Sequence, residues 1–87
     1  MRGWPTYKWT SPARANVPDQ IVMIPTERFP GLHGITIYVE CKRPGGKLTT
    51  GQQREHARLR EAGQIVWTVY SFDDVDNFFN TVRDKYL

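Results

Sequence analysis

Cysteine is nearly absent from this 87-residue chain. The one thiol, Cys41, has no partner for an internal disulfide, so no disulfide framework holds the fold and a reducing compartment suits it. With only His33 and His56 beside it, the soft ligands are too few for a zinc site. Cys41 also lacks an activating neighbour on its own strand face, which argues against thiol catalysis. Long apolar runs are missing, which excludes a membrane-spanning helix. The opening MRGWPTYKW has no apolar core of the kind a secretory signal needs, and none is expected. Also missing are a P-loop, a GxGxxG fingerprint and a nucleophile elbow. Repeats and low-complexity stretches do not occur.

What is present suits one small domain spanning residues 1–87, near the lower size limit for independent folding. Aromatic residues make up 13% of the chain, which helps a small core. The net charge of +3 and pI near 9.3 permit an anionic partner without requiring one. Lys42, Arg43, Lys47, Arg54, Arg58 and Arg60 cluster in sequence, whereas Asp73, Asp74 and Asp76 sit apart. A phosphate-facing side and a solvated helix face both account for that basic cluster.

The pattern of elements is β, β, β, α, β, α. A short strand runs from Thr6 to Thr10 and closes at Ser11-Pro12. QIVMIP is a compact apolar strand ending at Pro25. Pro30-Gly31 and Gly34 turn the chain into ITIYVECK, the most strand-like segment, rich in β-branched residues. After RPGGKL, the segment TTGQQREHARLREAG reads as a helix capped by Thr49 or Thr50 and stopped by Gly63. QIVWTVY has apolar residues on both faces and fits a central strand. The last segment is an amphipathic helix with Ser71 as N-cap and Asp74 in a capping-box position. Its acids favour the helix N-terminus. Val75, Phe78, Phe79, Val82 and Tyr86 form an apolar stripe for the core. Three closely connected strands imply an antiparallel meander, and the helical crossover makes the fourth strand parallel to the third. The fold class is therefore α/β, a small mixed sheet of about four strands flanked by helices.

The segment ITIYVECK carries the chemistry. Alternation puts Ile35, Ile37, Val39 and Cys41 on one face, a core face on which Cys41 is expected as a small buried hydrophobe. Thr36, Tyr38, Glu40 and Lys42 share the other. Glu40 and Lys42 stand roughly 7 Å apart at ~3.3–3.4 Å per residue. On an edge strand they would be a solvated ion pair, but this strand is expected to be internal. Asp19 begins the preceding strand, and antiparallel pairing brings it near Glu40 and Lys42. Two carboxylates and a lysine at a sheet rim suit metal-dependent phosphodiester hydrolysis. The carboxylates hold a hard divalent cation, and the lysine orients water or balances charge on the phosphate.

Asp19 after Pro18, followed by Glu40-Cys41-Lys42, matches the PD-(D/E)xK nuclease signature, which is loose by itself. The wider text is more specific: KWTSP, VPDQIVMIP, IYVECKRPGGKLTTGQ and LREAGQIVWTVYSFDDVDNFF resemble the VRR-NUC branch of that superfamily, over about Lys8 to Phe79. The resemblance implies a restriction-endonuclease-like core with Asp19, Glu40 and Lys42 as catalytic residues. It adds Gln52, by its spacing from the GGKL turn, as the glutamine that helps position water or phosphate; Gln53 is the neighbouring alternative. It implies Mg2+ or Mn2+ held by Asp19, Glu40 and the Cys41 backbone carbonyl. Lys8, Arg14, Arg43, Lys47 and Arg54 are the candidate DNA contacts, all to phosphates and none specifying sequence. For Lys8 and Arg14, plain surface charge is the equal alternative. On the helix, Gln52, His56, Leu59 and Gly63 share a face. His56 is read as a packed or rim histidine and His33 as a solvated turn residue.

The family core usually opens with a helix that adds a further acid to the metal site, and this sequence begins at its first strand. The apolar surface that such a helix would cover is expected to favour self-association, and small phage-type members of the family are expected to be dimers. Asn16 stands where glycine is common, and asparagine tolerates the same backbone. The resemblance thus implies a metal-dependent DNA endonuclease acting on branched or structured DNA in replication or repair, in the cytoplasm, or in that of a host cell if the chain is viral. Two other readings remain. One is a DNA- or partner-binding module with weak catalysis, and the other an α/β protein with no nucleic-acid role.

Overall fold

The computed structural model describes residues 3–87; Met1 and Arg2 lie outside the described residues. Six elements follow in order: β1 (Thr6–Lys8), β2 (Gln20–Pro25), β3 (Gly34–Cys41), α1 (Thr50–Glu61), β4 (Ile65–Val69) and α2 (Phe72–Tyr86). The strands form one sheet in the order β1-β2-β3-β4. The first two pairings are antiparallel and β3–β4 is parallel. This is the expected meander and crossover, with β3 internal. β1 stops at Lys8 rather than at the expected Thr10. In the register that pairs Lys8 with Gln20, Thr10 would face Pro18, which has no N–H to donate.

The core lies on one face of the sheet. Val22, Ile24, Ile37, Val39 and Val69 pack there against Phe78, Phe79 and Val82 of α2. Period-two alternation in the strands and the helical stripe in α2 meet at this surface. Aromatic rings thicken it: Trp67 and Phe78 lie 5.3 Å apart in an edge contact, and Trp4 sits 5.1 Å from Phe79. The Ser71 hydroxyl accepts the Asp74 N–H at 3.1 Å and starts α2. The Asp74 carboxylate accepts the Tyr70 N–H at 2.8 Å, so the cap reaches one residue further back than a capping box would. At the other end, the Thr26 hydroxyl donates to the Tyr86 carbonyl, and Arg28 Nη1 donates to the Asp84 carbonyl at 2.8 Å. These bonds pin the carbonyl end of α2 to the β2–β3 connection, as helix ends require.

The opposite face is covered in part by α1, which lies over β4 and buries Glu55 and His56. Thr49 is its N-cap. The Thr49 hydroxyl accepts the Gln52 N–H at 3.1 Å, and Gln52 Oε1 accepts the Thr49 N–H at 3.0 Å, a complete capping box. Gly63, at φ +81°, ends the segment in the left-handed conformation that glycine adopts without strain.

Candidate active site at the sheet rim

One end of the sheet collects the C-terminal ends of β1, β3 and β4 and the start of β2. Chain direction alone dictates this, because the antiparallel partners run the other way. The Trp9 N–H donates to the Asp19 carbonyl at 2.9 Å, and the Lys42 N–H donates to the Val69 carbonyl at 2.8 Å, so the ladder continues past the strand ends. Lys8, Asp19, Glu40, Cys41 and Lys42 therefore come to one rim.

The Asp19 carboxylate is held by β3: its Oδ1 accepts the Cys41 N–H at 3.0 Å. The Gln20–Val39 pairing puts Asp19 across from Glu40. Glu40 is buried, 4% exposed, beneath α1. Burial pushes its carboxyl above the usual glutamate range, Asp19 adds to the rise, and Lys42 opposes it. Lys42 follows directly after β3 and is half-buried. The turn after it explains its placement. Gly46 N–H bonds the Arg43 carbonyl at 2.9 Å, with Pro44 and Gly45 between and Gly45 at φ +79°. Proline then a positive-φ glycine is the pattern of a type II turn.

His56 completes the buried end of the site. Its imidazole is 0% exposed, with Nε2 3.4 Å from Glu40 Oε1. Burial, then the Arg60 charge, hold the imidazole below its usual pKa, so it is neutral at physiological pH and the contact is not an ion pair. Glu40 Oε1 and both His56 ring nitrogens have no hydrogen-bond partner among the described residues. Groups of this kind are uncommon in folded interiors and mark functional or hydrated places. Sequence placed His56 on the Gln52 face of α1 but did not bring it to Glu40. The available signal was that Glu40 and α1 share one face of the sheet.

Two sequence expectations are corrected. Cys41 is exposed, not a buried core residue. It is the last residue of β3, and Val39 is the last residue of that strand in the packed core, while its β4 partner Val69 stays buried. The residue is exposed overall, yet partial desolvation of the thiol, then Asp19 and Glu40, push its pKa up, which keeps it protonated. Arg14 forks onto Glu55 instead of standing as simple surface charge: Nε lies 3.0 Å and 3.1 Å from the two carboxylate oxygens, and Nη2 lies 2.7 Å from Oε2. Glu55 is buried, and its bonds from Arg14 hold it below the usual range. With Asn16 at φ +67° packed over Gly51, the pair ties the loop before Asp19 to the start of α1. Sequence held no sign of a partnership 41 residues apart.

The remaining predicted basic residues are all on the surface. Lys8 ends β1, Arg43 and Lys47 flank the turn, Arg54 lies in α1, and all four are exposed. Gln52 spends its side-chain carbonyl on the capping box, leaving the NH2 outside that pair. Gln53 bonds the Leu48 carbonyl at 3.3 Å. His33 is exposed in its turn, as expected.

No group of three or more His, Cys, Asp or Glu side chains arranged for a metal occurs among the described residues. The available donors are the Asp19 and Glu40 carboxylates and the Cys41 carbonyl. An all-oxygen set this small fits Mg2+ or Mn2+, which keep several waters or substrate oxygens, and not a fully caged ion. No helix among the described residues is long and apolar enough to cross a membrane.

No family model matches the sequence. Over 67 residues, the chain is 46% identical to a protein of Acyrthosiphon pisum secondary endosymbiont phage 1 named "Putative nuclease p44". The match covers 77% of this chain and 64% of that protein, so the chain spans less than two thirds of its curated relative. A solved structure described as "VRR_NUC domain" superposes with a TM-score of 0.72 at 30% identity, covering 98% of this chain and 81% of the other.

Proposed function

The chain belongs to the VRR-NUC family, and from that premise we propose that it is a divalent-metal-dependent endodeoxyribonuclease acting on branched or structured DNA. The observation that carries this reading is the convergence of Asp19, Glu40, the Cys41 backbone and Lys42 at one rim. Asp19 and Glu40 would hold Mg2+ or Mn2+ with the Cys41 carbonyl. When bound, the metal polarises the phosphodiester and lowers the pKa of an attacking water. The chain's own residues do the rest. The Cys41 N–H holds one oxygen of the Asp19 carboxylate and so orients it at the rim. Lys42 places a cation beside the phosphate, where negative charge grows during attack. Burial of Glu40 lowers the local dielectric and strengthens both effects. Lys8, Arg43, Lys47 and Arg54 steer the DNA backbone to the rim. Arg14 supports the site through Glu55.

A dimer is part of the proposal. Tyr7, Ile21, Met23 and Tyr38 share the sheet face opposite α2, on the side away from α1; Tyr7 and Met23 are exposed. A second copy seated there would present two active sites to two strands. Replication or repair, in a cytoplasm and in that of a phage host, is the setting this activity suits.

The test is cleavage of duplex, flap and four-way-junction DNA by the purified protein with Mg2+ or Mn2+. Metal-dependent cutting of the branched substrates supports the proposal. Binding without cutting, in both metals, favours a non-catalytic DNA-binding module.

A further inference from the structure

An apolar groove of about 330 Å3 opens beside Lys42, walled by Cys41, Pro44, Val69, Tyr70 and Phe72. Its size falls within the ~300–1,000 Å3 range of small-ligand sites. Phe72 is its outer wall and is 91% exposed, the most exposed large hydrophobic residue described. No ring of the described residues stacks on it. It is not on a loose loop: it is the first residue of α2, directly after the Ser71 cap. Its backbone is held by the helix, and its ring faces solvent beside the groove.

We propose that this groove is a subsite for one unstacked nucleobase of the DNA strand whose phosphate meets Lys42. The inference rests on the nuclease reading above. Two observations select this occupant. Lys42 lines the groove and belongs to the active-site rim, so the groove adjoins the place where a phosphate would meet Lys42. The walls are mainly apolar, with the Tyr70 and Phe72 rings available to a flat heterocycle. A base held in a duplex cannot reach the groove. The subsite therefore selects strands with an unpaired nucleotide beside the cut.

The experiment is a cycle of Phe72→Ala against removal of the base. Flap DNA is prepared intact, or with an abasic nucleotide beside the cut phosphate. Phe72→Ala is expected to lower kcat/KM on the intact flap roughly tenfold, the size of one lost stacking contact. On the abasic flap the variant and wild type should cut equally, and Phe72→Trp should restore the intact-flap rate. Equal effects of Phe72→Ala on both substrates, or no effect, would overturn the proposal. So would a shift of Phe72→Ala to a smaller oligomer with the cycle showing no coupling, which would assign the groove to a second copy. If wild type cuts nothing in either metal, the nuclease reading falls by itself. The groove is then judged by flap DNA carrying 2-aminopurine at the same position: fluorescence quenching that requires Phe72 sustains it, and no quenching overturns it.

Discussion

Glu40 combines two opposing demands, since a metal ligand must be ionised and burial favours its neutral form. Its carboxyl titrates above the ordinary glutamate value of about 4.3. Mn2+ affinity, measured by calorimetry across pH, is therefore expected to weaken on acidification from above that value. An acid limb at or below the ordinary value would contradict the placement of Glu40. Asp19→Asn keeps an acceptor for the Cys41 N–H but loses the charge, so it should abolish Mn2+ binding with little change in melting temperature. His56 offers a complementary test. Replacing a buried, unpartnered polar group by an apolar one of similar shape is neutral or stabilising. His56→Leu should melt at or above the wild-type temperature. A loss of several degrees would mean that the imidazole makes bonds in solution that the structure does not hold.

At the scale of elements, the legible parts were those written in local pattern. The alternation in β3 and the stripe in α2 gave strand, helix and core face, because each period has one geometric meaning. Asp19 could be brought to Glu40 because antiparallel pairing of consecutive strands sets the start of β2 beside the end of β3. Long-range side-chain choices were not legible. The Arg14–Glu55 fork joins a loop to a helix, and nothing local in either segment names the partner. The exposure of Cys41 depends on where α2 stops covering the sheet, a tertiary fact that alternation cannot supply. Gln52 shows a third case: the Thr49-x-x-Gln52 spacing spells a capping box, while the family resemblance implies a role in chemistry. The two roles separate by substitution. Gln52→Glu keeps the cap acceptor and removes the NH2, so an unchanged melting temperature with lost cleavage would assign the NH2 to the reaction, whereas unchanged cleavage would leave Gln52 as a cap alone. For α2, Phe78→Ala should cost about 3–5 kcal/mol, read by denaturant unfolding, and truncation at Ser71 should abolish cooperative melting.

For the whole molecule, pH and assembly are the tests. Glu55 has a depressed folded pKa, so its pairing with Arg14 stabilises fully above the unfolded carboxylate value and is lost as pH falls through the folded one. Glu40 works in reverse: its raised folded pKa makes the ionised form a cost, which disappears once pH falls below the unfolded value. The melting difference between wild type and Arg14→Ala should therefore be largest near neutral pH and narrow in acid; a constant difference would mean that the pair is not held in solution. Light scattering is expected to give twice the 10.1 kDa of one chain, and a monomer across the assay range would exclude the two-site arrangement.

The most direct test of the central claim is Lys42→Ala, assayed for metal-dependent cleavage and for DNA binding side by side. Removing the cation that stabilises the transition state is expected to lower kcat by roughly 10²–10³-fold or more, while the other basic residues keep DNA affinity within a few-fold of wild type. Equal loss of cleavage and binding would make Lys42 a phosphate anchor only, and unchanged cleavage would contradict the assignment of this rim as the active site.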